Sequence, residues 1–242
     1  MLFGRVATSA WLFVVMGCVG CGRAPAPAAA GAPVADVVPA SGSDRADAAA
    51  VDAGRRLVIL GDSITAGLGL PASRSYPALI QARLAARKTG WHVVNAGVSG
   101  DTSAGGLRRV EWSLEGGAAI VVVALGGNDA LRGLPVADLE RNLEQTVQRA
   151  QAAGARVVLA GMEAPPNTGP EYTAAFRAVY PAIAARRDAT LVPFLLEDVA
   201  GIEALNQADG IHPNEAGARR VADTVWRALE PIVRELEVGP TR

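Results

Sequence analysis

Short apolar runs rich in β-branched residues alternate with longer amphipathic stretches from residue 55 onward. The short runs have the length of β-strands, and the longer ones carry apolar residues at helical spacing. The predicted strands are Arg56 to Leu60, His92 to Asn95, Ile120 to Leu125, Arg156 to Ala160 and Thr190 to Pro193. The predicted helices cover residues 75–89, 102–115, 136–153, 171–187 and 213–235.

The order of these elements predicts the fold class. An uninterrupted apolar strand such as Ile120 to Leu125 is typical of a sheet that is buried on both faces. Regular alternation of strand and helix indicates a three-layer α/β/α sandwich around a mainly parallel, flavodoxin-like sheet of five strands. Ligands of such sheets bind at the carboxyl ends of the strands, so the loops after the strands are the segments to search for chemistry.

The N-terminal segment, residues 1–21, is typical of an export signal. Arg5 precedes a mostly apolar run from Val6 to Val15, which is shorter than the roughly 20 residues that span a bilayer. Cys18 and Cys21 each follow a glycine in a segment that resembles the lipobox of bacterial lipoproteins. This resemblance implies lipidation of Cys18 or Cys21, and the alternative is an ordinary cleaved signal. We therefore expect a periplasmic protein held at a membrane through an N-terminal lipid.

Residues 22–54 have a different composition from the rest of the chain. Ala, Pro, Gly, Ser and Asp dominate, and Val is almost the sole larger apolar residue. Such a segment buries too little apolar surface to offset the entropy lost on ordering. It is predicted to be a disordered Ala/Pro-rich linker, with one folded domain spanning residues 55–242.

The charge balance and the histidine count exclude two classes of function. There are 23 basic and 24 acidic side chains, a net charge of −1 that argues against a nucleic-acid partner. Only two histidines occur, His92 and His212, so we expect no histidine-rich metal site. The sequence leaves the oligomeric state open.

Ser63 follows the first predicted strand in a turn flanked by Gly61 and Gly67. A hydroxyl there can lie at a helix N-terminus with backbone N–H groups around it. A helix-capping serine or a phosphate-binding loop is the alternative. The chain lacks both a P-loop and the Gly-x-Ser-x-Gly elbow of α/β-hydrolases.

His212 favours catalysis, because a serine hydroxyl is a weak nucleophile until a neighbouring base takes its proton. Asp209, three residues earlier, is suited to hold the imidazole in the required tautomer. Pro213 is predicted to be the first residue of the last helix. The competing histidine, His92, is interpreted as a strand-end or core residue. The alternative for the pair is a capping aspartate beside a surface histidine.

Asn128 follows the third strand and offers a side-chain amide, while Gly100 follows the second and offers a backbone N–H. Acyl transfer forms an oxyanion that needs such preorganised donors. Taken alone, residues 126–129 are also compatible with a simple turn. Three aspartates next to these loops are predicted to cap helices or brace the loops: Asp62, Asp101 and Asp129.

Together, these segments resemble the GDSL esterase and lipase family, also called SGNH hydrolases, and within it the bacterial periplasmic thioesterase, arylesterase and lysophospholipase group. The matching segments are 61–63, 99–102, 126–129 and 209–214. One departure is Ile64, where the family name has leucine, at a position expected to pack and not to react. The resemblance implies that Ser63 is the nucleophile, His212 the general base and acid, and Asp209 its orienting partner. It implies an oxyanion hole made by the backbone N–H groups of Ser63 and Gly100 and the side chain of Asn128.

The expected reaction is hydrolysis of an ester or thioester through an acyl-serine, on a small-molecule or lipid substrate, without metal or cofactor. The acyl group is expected in an apolar crevice between residues 161–169 and 131–135. One alternative is a carbohydrate O-acetyl esterase, for which Trp112 and Tyr172 are the candidate stacking residues. A second is a flavodoxin-like module that holds a phosphate on residues 61–67 without catalysis.

Overall fold

A computed structural model describes residues 55–238, which contain a five-stranded sheet. The strands are β1 Arg56–Gly61, β2 His92–Gly97, β3 Ile120–Ala124, β4 Arg156–Ala160 and β5 Thr190–Val192. Their order is β2-β1-β3-β4-β5, and every neighbouring pair is parallel. This is the predicted flavodoxin-like order. The predicted signal peptide, both cysteines and the linker lie outside the described residues.

Seven α-helices accompany the strands within residues 55–238. They are α1 Ser63–Ala66, α2 Tyr76–Ala86, α3 Ser103–Ser113, α4 Gly127–Leu131, α5 Val136–Ala152, α6 Pro170–Arg187 and α7 Glu215–Val238. Helix α2 packs against α7, whereas α3, α5 and α6 pack side by side. These two groups form the outer layers of the predicted α/β/α sandwich.

The core lies around the two central strands. Residues 57–60 of β1 and 120–123 of β3 are completely buried, as expected for strands covered by helices on both faces. The edge strand β2 is partly exposed. His92 is exposed at the start of β2, so it is a strand-end residue and not a core residue.

The strand order fixes where a ligand can bind. The chain moves from β1 outward to β2 and then returns past β1 to β3. The direction in which strands are added to the sheet therefore reverses between β1 and β3. Their carboxyl ends diverge into loops on opposite sides and leave a crevice. Ser63 follows β1 and Asn128 follows β3, so both candidate residues stand at this point.

One local prediction was wrong, and one short helix was not predicted. The last helix begins at Glu215 and not at Pro213, because Pro213 forms a β-bridge with Asn206. Asn214 caps the helix through Oδ1, which accepts hydrogen bonds from the N–H groups of Ala216 and Gly217 at 2.9 and 3.1 Å. Residues 127–131 form the short helix α4, which was not predicted because five residues are too few to show helical periodicity.

Candidate active site

Ser63 is the first residue of α1, at a sharp turn that follows β1 directly. Asp62 caps this helix, because its Oδ1 accepts a hydrogen bond from the Ile64 N–H at 3.0 Å. Gly61 permits the turn, since a Cβ at this position would lie 2.0 Å from Thr65 Oγ1. The turn leaves Ser63 8% exposed, at the wall of a cavity.

Asp209 and His212 lie in one tight turn before α7. Oδ1 of Asp209 accepts hydrogen bonds from the backbone N–H groups of Ile211 and His212 at 2.9 and 3.0 Å. Its Oδ2 lies 2.6 Å from Nδ1 of His212. The two backbone N–H donors and the imidazole lower the pKa of Asp209 to about 2, so the carboxylate stays charged over a wide pH range.

The turn brings the imidazole to the serine. Nε2 of His212 lies 2.8 Å from Oγ of Ser63. With Nδ1 protonated toward Asp209, Nε2 is free to accept the serine proton. The three side chains therefore form one hydrogen-bonded series that can remove a proton from Ser63.

Gln207 connects this turn to the loop after α1. Its Nε2 donates hydrogen bonds to the Leu68 carbonyl at 2.7 Å and to the Pro213 carbonyl at 3.0 Å. Its backbone N–H donates to the His212 carbonyl at 2.7 Å. One side chain thus ties both sequence-distant halves of the site together, and sequence reasoning did not identify it.

Asn128 lies in α4, directly after β3. Helix α4 begins at once because Gly126 adopts φ = 117°, and a Cβ at Gly126 would lie 2.1 Å from the Tyr180 hydroxyl. Nδ2 of Asn128 donates to the Asp101 carbonyl at 3.0 Å. A primary amide has two N–H donors, so one orients the group and the other is available to a ligand.

Gly100 lies in the loop after β2 with φ = 82°. Its N–H has no hydrogen-bond partner among residues 55–238. Its carbonyl accepts a hydrogen bond from Nη2 of Arg132 at 2.8 Å. Gly100, Asn128 and Ser63 all line the same cavity, so their donors converge on one space.

The three aspartates act as predicted, because each one caps or braces. Asp62 caps α1, as described above. Asp129 accepts from the backbone N–H of Ser103 at 2.8 Å and from its hydroxyl at 2.6 Å. Asp101 forms an ion pair with Arg109, with 2.6 Å between Oδ2 and Nε. The loop after β2 is therefore held from both α3 and α4.

Asp62 also lines the cavity while remaining 3% exposed. Burial is the main cause that raises its pKa to about 6, against the opposing effects of the Ile64 N–H and the nearby His212. A carboxyl group whose charge depends on pH near neutrality thus adjoins the serine.

The cavity has a volume of about 360 Å³. Its walls include Leu131, Met162 and Pro165, from the two predicted segments, although residues 132–135 do not reach it. A third wall was not predicted: it comes from the segment after β5 and consists of Leu196, Ala200 and Gly201. No Phe, Tyr or Trp residue of the described part of the chain lines this cavity. Trp112 is exposed on α3, and the Tyr172 hydroxyl donates to the Leu134 carbonyl.

Residues 55–238 show neither a metal site nor a membrane-spanning helix. No group of three or more His, Cys, Asp or Glu side chains in this part is arranged to hold a metal ion. Every helix in it is too short or too polar to cross a bilayer.

The geometry defines a class of protein, and comparison with known proteins agrees. The model of the GDSL-like lipase/acylhydrolase family matches residues 59–220. Esterase TesA of Pseudomonas aeruginosa is 50% identical over 182 residues, which are 75% of this chain and 90% of TesA. Thioesterase 1/protease 1/lysophospholipase L1 of Escherichia coli is 41% identical over 178 residues, which are 73% of this chain and 84% of the relative.

A solved structure extends the similarity to the whole fold. It is the psychrotrophic esterase EstA from Pseudoalteromonas sp., inhibited by monoethylphosphonate, with 34% identity and a TM-score of 0.70. The match covers 75% of this chain and all of the EstA chain. This chain belongs to the GDSL-like lipase/acylhydrolase family. It is a hydrolase of the SGNH type that acts on ester bonds.

Proposed function

We propose that Ser63, His212 and Asp209 are the catalytic triad of this esterase. The observation that carries the proposal is the pair of short contacts, 2.8 Å from Ser63 Oγ to His212 Nε2 and 2.6 Å from His212 Nδ1 to Asp209 Oδ2. The charged Asp209 keeps Nδ1 protonated and stabilises the imidazolium once Nε2 has taken the serine proton.

The reaction then has two steps. Ser63 Oγ attacks the acyl carbonyl as its proton moves to His212, and the imidazolium gives that proton to the departing alcohol or thiol. A water molecule next loses a proton to His212 and attacks the acyl-serine, which releases the acid and restores Ser63. These proton transfers need no metal or organic cofactor.

The backbone N–H groups of Ser63 and Gly100 and the Asn128 amide are proposed to bind the oxyanion. Within the described residues, the partner-free N–H of Gly100 and the second amide proton of Asn128 support this role. Donors fixed before the reaction stabilise the charge without reorganisation, and each one is typically worth about 100 to 1000-fold in rate.

The proposed substrates are carboxylic esters and thioesters with an apolar acyl group: aryl esters, acyl thioesters and lysophospholipids. The cavity lined by Leu131, Met162 and Leu196 is large enough for an acyl chain and offers it mainly apolar contacts. The names of the two relatives, an esterase and a thioesterase with lysophospholipase, agree with this range.

Two alternative functions involve residues of the same site. A carbohydrate O-acetyl esterase is less well supported, because no Phe, Tyr or Trp among the described residues lines the cavity to stack on a sugar ring. A module that merely holds a phosphate leaves the contact between Ser63 and His212 without a purpose.

The sequence of residues 1–21 supports an exported protein with an N-terminal lipid. We expect export to the periplasm, with Cys18 or Cys21 carrying the lipid that attaches the protein to a membrane. Membrane association is then expected through this anchor, and mass spectrometry of the mature N-terminus tests it.

Initial rates with defined substrates test the activity. The panel contains p-nitrophenyl esters of increasing chain length, an acyl-CoA, a lysophospholipid and acetylated xylan. We expect hydrolysis of the esters and thioester, loss of activity in His212→Ala, and full activity in the matched histidine variant His92→Ala. Preference for acetylated xylan would support the carbohydrate alternative, and an inactive folded protein would contradict the proposal.

A further inference from the structure

Arg109 of α3 is a largely buried cation that the proposed reaction does not use. Its side chain is 16% exposed, and so is that of its partner Asp101. Neither side chain forms a hydrogen bond with Ser63 or His212. A guanidinium taken out of water at this depth needs several hydrogen-bond partners, and the identity of those partners indicates its role.

Each of the three side-chain nitrogen atoms of Arg109 donates a hydrogen bond to a different chain segment. Nε donates to Asp101 Oδ2 at 2.6 Å. Nη2 donates to the Gly61 carbonyl at 2.8 Å, at the end of β1. Nη1 donates to the Ala96 carbonyl at 2.7 Å, near the end of β2. The guanidinium thus bridges the carboxyl ends of two neighbouring strands and the loop that follows the second.

These segments carry the proposed oxyanion donors. Gly61 stands two residues before Ser63, and Asp101 directly follows Gly100. The backbone carbonyl of Asp101 also accepts the hydrogen bond that orients the Asn128 amide. Each proposed donor is therefore close to a group that binds Arg109. Ser63 and Gly100 lie within two residues of Gly61 and Asp101 in the chain, and Asn128 binds the Asp101 carbonyl through one hydrogen bond.

The residues around Arg109 leave room for its ion pair with Asp101. A Cβ at Gly105 would lie 2.0 Å from Asp101 Oδ1, so glycine at this position in α3 makes room for the carboxylate. Asp129 holds the start of α3, which directly follows this loop, through Ser103. Arg109 connects this braced loop to β1 together with the backbone N–H of Val98, which donates to the same Gly61 carbonyl at 3.0 Å.

We propose that Arg109 is a positioning residue that sets the spacing of the oxyanion donors on Ser63, Gly100 and Asn128 through its bonds to Gly61, Ala96 and Asp101. This inference rests on the proposed function. Lysine cannot replace it fully, because a single ammonium group cannot reach three acceptors that lie in three directions. A displacement of about 1 Å at reacting groups costs on the order of 100-fold in rate.

The test compares Arg109→Met and Arg109→Lys with Arg87→Met. Arg87 forms the matched control pair with Glu237 at the far end of the sheet, with side chains 28% and 12% exposed. Loss of either ion pair is expected to change the free energy of unfolding. Rates are therefore measured per folded molecule, at a temperature where each variant is folded by circular dichroism. The readouts are kcat and KM for p-nitrophenyl butyrate and the inhibition constant of butylboronic acid, whose serine adduct is tetrahedral and anionic.

We expect Arg109→Met to lower kcat by about 30 to 100-fold with KM changed less than about threefold, and to weaken boronate binding in parallel. Arg109→Lys is expected to regain stability but to remain about tenfold slow, whereas Arg87→Met keeps its kcat. If Arg109→Met does not fold, the double variant Asp101→Asn/Arg109→Met removes the unpaired charge and is measured in its place.

The inference is overturned if the folded Arg109 variants match Arg87→Met in kcat, or if kcat falls while boronate affinity stays unchanged. Ser63→Ala separates this failure from failure of the proposed function. An inactive Ser63→Ala beside a fully active Arg109→Met would remove the role of Arg109 alone, whereas an active Ser63→Ala would remove the proposed mechanism.

Discussion

Nε2 of His212 lies 2.8 Å from Oγ of Ser63, although 149 residues separate them in the chain. The parallel sheet brings the end of β1 and the segment before α7 to the same edge. Gln207 then joins the two segments through the Leu68 carbonyl and the backbone of His212. The contact between Ser63 and His212 is thus a consequence of the parallel fold and of the Gln207 side chain, which connects the loop after α1 to the segment before α7.

Asp209→Asn tests the orientation of the imidazole. The amide cannot stabilise the imidazolium as the carboxylate does, and it favours the wrong tautomer of His212. A comparable change in another serine hydrolase lowers kcat by about 10⁴. We expect a loss of roughly 10³ to 10⁴ in kcat for p-nitrophenyl butyrate with the fold intact. A loss below about tenfold would contradict the role assigned to Asp209.

Asn128→Ala tests the oxyanion hole. Removal of one donor lowers kcat by roughly 100 to 1000-fold and leaves KM nearly unchanged, because the interaction forms mainly in the transition state. Steady-state kinetics measures both constants. The matched control is Asn167→Ala, at an exposed asparagine outside the cavity, which is expected to retain full activity. Equal kcat values in the two variants would exclude Asn128 from this role.

Ala200→Phe tests whether the segment after β5 bounds the acyl group. Ala200 is exposed yet lines the cavity, so a larger side chain there fills the cavity without disturbing the core. Each methylene excluded from an apolar site forfeits about 0.8 kcal/mol. We expect kcat/KM to fall about tenfold or more for long acyl esters and to change little for the butyrate. Ala204→Phe, outside the cavity, is the control, and identical chain-length profiles would show that this segment does not select substrates.

Asp62→Asn tests how the buried Asp62 carboxyl group affects the free energy of unfolding. The native pKa is raised from 3.8 to about 6, so the folded protein binds this proton more tightly than the unfolded chain does. Between these two values the native state keeps a proton that the unfolded state has lost, and the stability from this group therefore falls as pH rises. With about 1.4 kcal/mol per pKa unit, the wild type loses roughly 2 kcal/mol between pH 4 and pH 7.

The side-chain amide introduced by Asp62→Asn carries no such charge and still accepts the hydrogen bond from Ile64. Urea unfolding at pH 4 and pH 7 is therefore expected to show the variant gaining about 2 kcal/mol relative to the wild type as pH rises. Asp198→Asn, at an exposed aspartate, serves as the comparison. A pH-independent difference between Asp62→Asn and the wild type would contradict the raised pKa of Asp62.

The strands and the candidate residues could be predicted from the sequence because their signals are local. Residues 57–60 and 120–123 are uninterrupted apolar runs, and Ser63 and Asn128 follow them within a few positions. The start of α7 could not be predicted, since whether Pro213 begins a helix depends on its bridge to Asn206. The short α4 could not be predicted either, because its length allows no periodicity.

The supporting contacts could not be predicted because their partners are distant main-chain groups. Arg109 lies in an amphipathic helix, where an arginine usually faces solvent, and its acceptors include the carbonyls of Gly61 and Ala96. Gln207 likewise binds the Leu68 carbonyl, 139 residues away. Every residue has a backbone carbonyl, so the sequence does not show which carbonyl a side chain will bind. Such roles can therefore be identified only in the folded chain. The cavity wall after β5 could not be predicted, because the apolar residues in 194–208 follow neither the helical nor the strand periodicity.

The central claim is that Ser63 is the nucleophile activated by His212, and labelling with a serine-reactive fluorophosphonate tests it most directly. Intact mass and peptide mapping are predicted to show one adduct, on Ser63, in the wild type and in His92→Ala. Ser63→Ala and His212→Ala are predicted to remain unlabelled over the same time. An adduct on a different serine, or a folded wild-type protein that takes up no label, would contradict the account.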